Sequence, residues 1–328
     1  MNFNVVNKKI LITGAAGFIG SNLCRHLSKN NQVIGIDNLS TGHFKNVEPL
    51  MDSDNFEFHE LDIRDEEGCV KITKGIDIIL HQAALGSVPR SIKTPLETNA
   101  NNVTGFLNLL DAARRNEVKR FVYATSSSVY GDHPKLPKTE ETIGLPLSPY
   151  AVTKRVNELY ADVYSKVYGL EIIGLRYFNV YGPNQDPNGA YAAVIPKFVS
   201  QILKGEAIKV NGDGLQTRDF TFVEDVIQAN LLAAGTLNEK AFNQVFNISF
   251  GNRISLNGLI EEMKSSIQNV FGVTEELEVV HGPKRIGDIE HSFASIEKAQ
   301  SILGYQPQYS LQKGLTTYLT FLKERSVI

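Results

Sequence analysis

Apolar and polar positions fall into two alternating periods along the first half of the chain. Lys8-Lys9-Ile10-Leu11-Ile12-Thr13 is a short apolar run of the kind that forms a buried strand. Similar runs at Gln32–Ile36, Asn55–Leu61, Ile76–His81, Lys119–Ala124 and Glu171–Tyr177 predict five more strands. Between them the period lengthens to that of a helix, over Ser21–Lys29, Pro95–Arg115 and Pro149–Tyr168. The second of these carries Val103, Phe106, Leu107, Leu110 and Ala113 at helical spacing, and the third carries Val152, Val156, Leu159, Val163 and Val167 on one face. Ser148 suits the cap of that third helix, Pro149 its first turn and Gly169 its end. Strand and helix alternating in this way predict an α/β fold with a parallel sheet covered on both faces.

After Phe178 the pattern changes. Tyr181–Ala190 is rich in Gly, Pro and Asn and reads as a loop, and Lys209–Arg218 reads as a turn-rich hairpin or loop. Helices are expected at Ile195–Lys204, Val223–Ala234, Leu256–Phe271 and Ser295–Leu303, the last before a tail. Val245–Ile248 is expected to be a strand that returns to the first sheet. Pro283–His291 is polar and expected to be a loop over a site. The division predicted is residues 1–179 for one domain and mainly 180–328 for a smaller C-terminal α/β domain. No repeats or low-complexity segments interrupt it.

The chain has 328 residues, enough for a sizeable core, and a net charge of −3. Nothing in that balance points to nucleic acid or an acidic membrane surface. Cys24 and Cys69 have no metal or redox spacing and read as reduced, buried residues of a cytoplasmic protein. The seven histidines show no ligand spacing, so no metal is expected. No apolar run approaches membrane length, and the polar Asn2-to-Lys9 start is unlike a signal peptide.

Candidate chemistry begins at Gly14-Ala15-Ala16-Gly17-Phe18-Ile19-Gly20, between a strand and a helix. Glycines three apart there suit a dinucleotide phosphate loop of Rossmann type. Gly14 makes the turn, Gly17 admits the pyrophosphate, and Gly20 lets helix pack on strand. Asp37 ends the next strand, 17 residues past Gly20, where an acid can take the adenosine ribose hydroxyls. An acid there disfavours a 2′-phosphate and favours NAD over NADP. Tyr150 and Lys154 lie four apart on the helix that Ser148 starts. An ammonium beside a phenol lowers its pKa and makes Tyr150 a candidate proton carrier. By itself the pair is equally at home on an ordinary helix surface.

Taken in order, Thr13-Gly14-x-x-Gly17-x-x-Gly20, Asp37, Ser126-Ser127-Ser128-Val129-Tyr130-Gly131, Tyr150-x-x-x-Lys154 and Arg176-Tyr177-Phe178-Asn179 resemble the extended short-chain dehydrogenase/reductase superfamily. The resemblance is to its nucleotide-sugar epimerase branch and covers nearly the whole chain. Hexose dehydratases of the superfamily carry Thr-Asp-Glu where this chain has Ser126-Ser127-Ser128, and the uronate decarboxylases keep a Glu at Ser128. What remains fits oxidation and re-reduction at one carbon. Gln82–Ile92, Gly131–Pro134 and Gln185–Lys197 are similar to the epimerases of N-acetylated UDP-hexosamines in surface-polysaccharide pathways. Ser292, where epimerases of plain hexoses often carry Tyr, leaves room for an acetamido group.

The resemblance implies the roles. Tyr150, Lys154 and Ser126 are the catalytic set. NAD contacts are implied at Gly14, Gly17, Phe18, Ile19, Asp37, Thr41, Gly42, Asp62, Ile63, Gln82, Asn101, Tyr150, Lys154 and Phe178. The UDP-sugar is implied to meet Gly86, Ser87, Arg90, Ser126, Ser127, Ser128, Tyr150, Asn179, Gln185, Ala193, Val194, Arg218, Arg285, Asp288 and Ser292. The expected reaction is reversible 4-epimerisation of UDP-N-acetylglucosamine. Its rivals are the same epimerisation on the corresponding uronic acid, and a non-catalytic NAD-sensing regulator. The family pairs the helices 95–115 and 149–168 into a homodimer, with Leu109 and Tyr160 as contacts to weigh against packing within one chain. The chain departs from the family pattern at Thr125, where Ala is usual, and at Pro183-Asn184, where basic residues stand.

Overall fold

A computed structural model describes residues 5–187, 193–273, 278–283 and 290–325. Its first lobe is built largely from strands alternating with helices. β1 (Lys9–Thr13), α1 (Phe18–Leu27), β2 (Gln32–Asp37), β3 (Phe56–Glu60), α2 (Glu66–Ile72) and β4 (Ile78–His81) come first. They are followed by α3 (Val88–Lys93), α4 (Pro95–Asn99), α5 (Gly105–Arg115), β5 (Arg120–Ser126), α6 (Pro149–Tyr168) and β6 (Glu171–Tyr177). After β6 come β7 (Val180–Tyr181), α7 (Val194–Leu203), β8 (Ile208–Asn211), β9 (Thr217–Arg218) and β10 (Thr221–Phe222), mostly in a second lobe, and α8 (Val223–Gly235), which packs back on the sheet. The chain continues through β11 (Gln244–Ile248), β12 (Ile254–Ser255), α9 (Leu256–Phe271), β13 (Val279–Gly282) and α10 (Leu311–Glu324).

Among the described residues, seven strands form one parallel sheet in the order β11-β6-β5-β4-β1-β2-β3. The order of strand addition reverses between β1 and β4, so the loops after these two strands part and open a crevice at their carboxyl ends. Both sheet faces are covered. Ile10, Ile12, Leu80, Val122, Ile173 and Phe246 pack on the α1 and α8 side, and Leu11, Ile79, Phe121, Tyr123 and Ile172 pack with Phe106 and Leu110 of α5. A third core, in the second lobe, joins Phe198, Ile208, Phe222, Met263, Leu315 and Leu319. β11 leaves that lobe and pairs with β6 from Gln244↔Ile173 to Ile248↔Tyr177.

Four sequence expectations change. The helix expected over 95–115 is divided, with a π turn at Ala100–Thr104 between α4 and α5. The tail after 303 contains α10, whose Leu315, Tyr318 and Leu319 are buried, and the helix expected at 295–303 runs from 297, with its last five residues a π turn. The stripe on α6 faces outward: Val152, Leu159, Val163 and Val167 are all exposed, while Ala151, Thr153, Lys154, Asn157 and Glu158 face inward. Leu109 is wholly buried in its own chain, so it is not a surface contact, whereas Tyr160 lies at the surface. Among the described residues no helix is long and apolar enough to cross a membrane.

Candidate active site

The crevice at the carboxyl ends of the strands is a cleft of about 650 Å3. Its base is the turn after β1. Gly14 has φ +68°, and a Cβ there would lie 2.9 Å from the Ala83 nitrogen. A Cβ on Gly20 would lie 2.0 Å from the Gly14 carbonyl oxygen, so only glycine lets α1 approach β1 this closely. Gly17 caps α1 without a side chain, and the first amides of the ten-residue helix have no side-chain acceptor at the cap. That cradle is open to an anion at a helix N-terminus and fits the pyrophosphate of NAD. Beside it, the Thr13 hydroxyl oxygen accepts from the Gln82 and Ala83 amides and pairs with His81 Nδ1 at 2.8 Å, which joins the ends of β1 and β4. With two amides donating to it, the Thr13 hydroxyl gives its own hydrogen to His81. Burial holds that imidazole neutral, with its pKa lowered to about 3, and the nearby Lys154 adds to the shift.

Asp37 ends β2. Its Oδ2 accepts from the Ala16 amide at 3.0 Å and its Oδ1 from Leu39 at 2.8 Å. Burial raises its pKa, and these amides pull it partly back. The carboxylate thus faces the cleft in a fixed orientation suited to ribose hydroxyls. Gly42 packs behind it, where a Cβ would meet Asp37 Oδ2 at 2.8 Å. Thr41, Phe18, Ile19, Ile63, Gln82 and Asn101 line the same cleft, and Asn101 stands in the π turn. Asp62 does not line it. Arg64 takes its carboxylate at 2.6 Å and holds its pKa down to about 2. The Phe178 side chain is wholly buried with Val129, Tyr130 and Ala294, away from the cleft.

The catalytic candidates converge on this cleft. Ser148 caps α6 through a 3.2 Å bond from the Ala151 amide, which places Tyr150 and Lys154 on adjacent turns. Ser126 ends β5, and its hydroxyl oxygen accepts from the Ser128 amide at 3.1 Å. Ser126, Ser127, Ser128, Tyr150 and Lys154 all line the cleft, and the buried Ser128 Oγ has no partner among the described residues. One sequence expectation reverses. Burial raises the Tyr150 phenol, and only the Ser126 side chain pulls it back. The Lys154 ammonium lies 6.0 Å from the ring centroid and donates instead to the Ala124 carbonyl at 2.9 Å. Burial lowers Lys154 itself to about 8, opposed by Glu158.

Glu158 lies one turn further along α6. Its Oε1 accepts from Arg176 Nε and the Thr125 hydroxyl, both at 2.9 Å, and its Oε2 from Arg176 Nη2 and Arg155 at 3.0 Å. Four donors on one buried carboxylate fix the floor under Lys154. Removing one partner from such a network strands a buried charge. Thr125 therefore has a structural use that its sequence context did not show.

A second cavity of about 290 Å3 shares Gly86, Ser87, Val88, Asn179, Val180 and Ala193 with the first. Val194 and Arg218 line it, and the Arg218 guanidinium also donates to the Thr217 carbonyl at 2.9 Å. Lys197, Lys209, Asn211, Gln216 and Phe220 line it too and were missed in the sequence. The signal for two of them was present, since Lys209 and Asn211 are the polar positions of an alternating strand. Asn179 has φ +36° and donates to the Asp219 carbonyl at 2.9 Å. Arg90 and Gln185 line the first cavity, and Gln185 Oε1 is buried without a partner among the described residues. Ser292 lines neither cavity: its amide bonds the Thr217 carbonyl at 3.0 Å. Arg285 and Asp288 lie outside the described residues.

The sequence profile of the NAD dependent epimerase/dehydratase family matches residues 10–249, and the chain belongs to that family. It uses NAD, and the glycine turn and Asp37 fit that group. The chain is 39% identical to a putative UDP-glucose 4-epimerase of Methanocaldococcus jannaschii, over 97% of this chain and 99% of that protein. A UDP-N-acetylglucosamine 4-epimerase from Methanobrevibacter ruminantium, solved with UDP-N-acetylmuramic acid, superposes with a TM-score of 0.91 at 37% identity, covering 98% of this chain and 99% of the other. A UDP-glucuronic acid 4-epimerase from Bacillus cereus, solved with UDP-glucuronic acid and NAD, superposes at 0.87 with 33% identity, covering 97% and 99%.

Proposed function

We propose that the chain catalyses reversible 4-epimerisation of UDP-N-acetylglucosamine to UDP-N-acetylgalactosamine. The observation that carries this reading is the junction of the two cavities. Ser126, Tyr150 and Lys154 sit in the NAD cleft, and the cavity opening onto it carries Lys197, Lys209 and Arg218, cations suited to a diphosphate. NAD supplies the hydride acceptor and donor. Tyr150 takes the proton of the sugar's 4-hydroxyl as the hydride leaves the 4-carbon, and returns it when hydride comes back to the other face of the 4-keto sugar. Ser126 orients that hydroxyl, and Lys154 supports the charge on Tyr150. Since the phenol is raised in the chain alone, the proton transfer draws on the positive charge brought by Lys154 and by oxidised nicotinamide together.

The acetamido preference rests on the Gln82–Ile92 and Gln185–Lys197 segments, and on free space beside Gly86, where an added Cβ would meet nothing within 4 Å. The uronic acid is the second reading, favoured by the likeness to the glucuronate enzyme. Turnover of the plain and acetylated UDP-gluco and UDP-galacto sugars, with the acetamido uronate as a fifth substrate, tests the assignment. Interconversion of the acetylated pair without net NADH supports it, and turnover of the uronate alone overturns it. In the same assay Tyr150→Phe lowers kcat about 100- to 10,000-fold; full activity in that variant removes Tyr150 from the chemistry.

The reading extends to organisation. The first lobe with β11 holds NAD, the rest mainly holds the UDP-sugar, and two copies pair through the outward stripe of α6.

A further inference from the structure

One short loop of the second lobe is tied to the cofactor side of the cleft at three points. The Pro183 carbonyl accepts from the buried Asn22 side chain at 2.9 Å. Asn184 Nδ2 donates to Ser21 Oγ at 3.0 Å. Asp186 Oδ2 lies 3.5 Å from His43 Nε2. Ser21 and Asn22 follow Gly20 directly on α1, and His43 follows β2 with its amide bonded to the Ala16 carbonyl at 3.0 Å. The anchors therefore flank the glycine turn on two sides. The loop is itself a closed turn: the Gln185 amide bonds the Gly182 carbonyl and the Gln185 side chain the Val180 carbonyl. Asn184 takes φ +67°, a conformation asparagine tolerates better than most residues. His43, Asn184, Gln185 and Asp186 line the same cleft as Gly14, Gly17 and Phe18.

We infer that residues 182–187 are a latch that retains NAD. The nucleotide's pyrophosphate belongs at the N-terminus of α1. A strap bonded to α1 on one side and to the β2 loop on the other must open before the cofactor leaves. A reaction that regenerates its NAD in every cycle gains nothing from release, so slow exit does not limit turnover. The inference rests on NAD binding and not on the identity of the sugar. A wrong sugar assignment leaves it readable.

The test is release of labelled NAD+ from the purified, loaded protein into excess unlabelled NAD+. Asn184→Ala and Ser21→Ala each speed release about threefold or more, the worth of one lost hydrogen bond, and Asp186→Asn, which weakens an exposed ion pair with His43, speeds it less. Asn184→Ala with Asp186→Asn speeds it more than Asn184→Ala alone, because the two contacts are separate. Asn184→Ala and Ser21→Ala combined add little to either alone, because both break the same bond. The melting temperature of the NAD-stripped variants stays within about 2 °C of the parent. Release within twofold of the parent across the set overturns the latch. So does acceleration that tracks a fall in the melting temperature of the stripped protein, since the loop is then only a brace. Ser21→Ala, which removes a single hydroxyl from α1, reads the same bond should a loop variant fold poorly.

Discussion

The Lys154 ammonium leaves water on folding and is received by one carbonyl, that of Ala124. Its pKa falls from 10.5 to about 8 by burial, so between those values the unfolded chain binds more protons than the folded one. Stability therefore rises with pH through that window, and the full cost of the buried charge applies below about 8. Lys154→Met removes this dependence. Urea unfolding of the NAD-stripped proteins shows the parent gaining on the variant between pH 8 and 10, by on the order of 2–3 kcal/mol. A constant difference shows that burial leaves the Lys154 pKa where the unfolded chain has it. Asp219 runs the other way. It is wholly buried, and burial lifts its carboxyl to about 7, with the Ser249 hydroxyl and the amides of Ala294, Asn252 and Gly251 tempering the rise. Those groups surround the carboxylate, though none meets full hydrogen-bond geometry on either oxygen. The stability it contributes is present below its unfolded pKa and is lost as pH rises through 7. Asp219→Asn is then more stable than the parent at pH 8, by on the order of 1–3 kcal/mol, and the gap closes toward pH 4. Thermal melts across that range check it.

At the scale of elements, α6 turns a polar face inward and an apolar one outward. A solvent-facing stripe of Val152, Leu159, Val163 and Val167 is larger than scattered surface apolar residues, and Ile92 and Leu96 are exposed on the neighbouring α3 and α4. If two copies pair through this stripe as proposed, Leu159→Glu with Val163→Glu yields a monomer in sedimentation at micromolar protein. A parent that sediments as a monomer removes the stripe as a self-interface. The stripe itself was legible as a helical period, but periodicity reports a face and not what covers it. The six strands, the glycine turn, Asp37 and the Tyr150–Lys154 pair were legible because each is local: a run of residues or a fixed spacing. The π turn at Ala100–Thr104 was not, because one extra residue barely disturbs the apolar period. Nor was the direction of the Tyr150 shift, which the burial of its phenol sets. α10 carries a plain period in Leu311, Leu315, Tyr318 and Leu322 and was legible in principle.

For the whole molecule, α10 is part of the second lobe's core. Leu319 packs with Met263 and Ile267 of α9, and a Cβ on Gly314 would lie 2.1 Å from the Tyr181 hydroxyl. Leu319→Ala costs about 2–5 kcal/mol in urea unfolding. A loss below 1 kcal/mol places α10 outside the cooperative unit. α8 and the lead into β11 are fastened to the seven-stranded sheet and its helices. Arg120 of β5 reaches the Ala233 carbonyl at the end of α8 at 2.7 Å, and Asn243 reaches Asp162 of α6 at 3.0 Å.

The pairing of β11 with β6 also bears on the order in which the chain is made. When Tyr177 leaves the ribosome, six of the seven strands exist, and β6 still offers a bare, apolar edge. Some seventy residues of the other lobe must follow before Gln244–Ile248 can close it. During that interval the nascent protein is a sheet with an open template, the kind of surface that recruits another unfinished strand. Dividing the gene after residue 179 would make that transient state permanent.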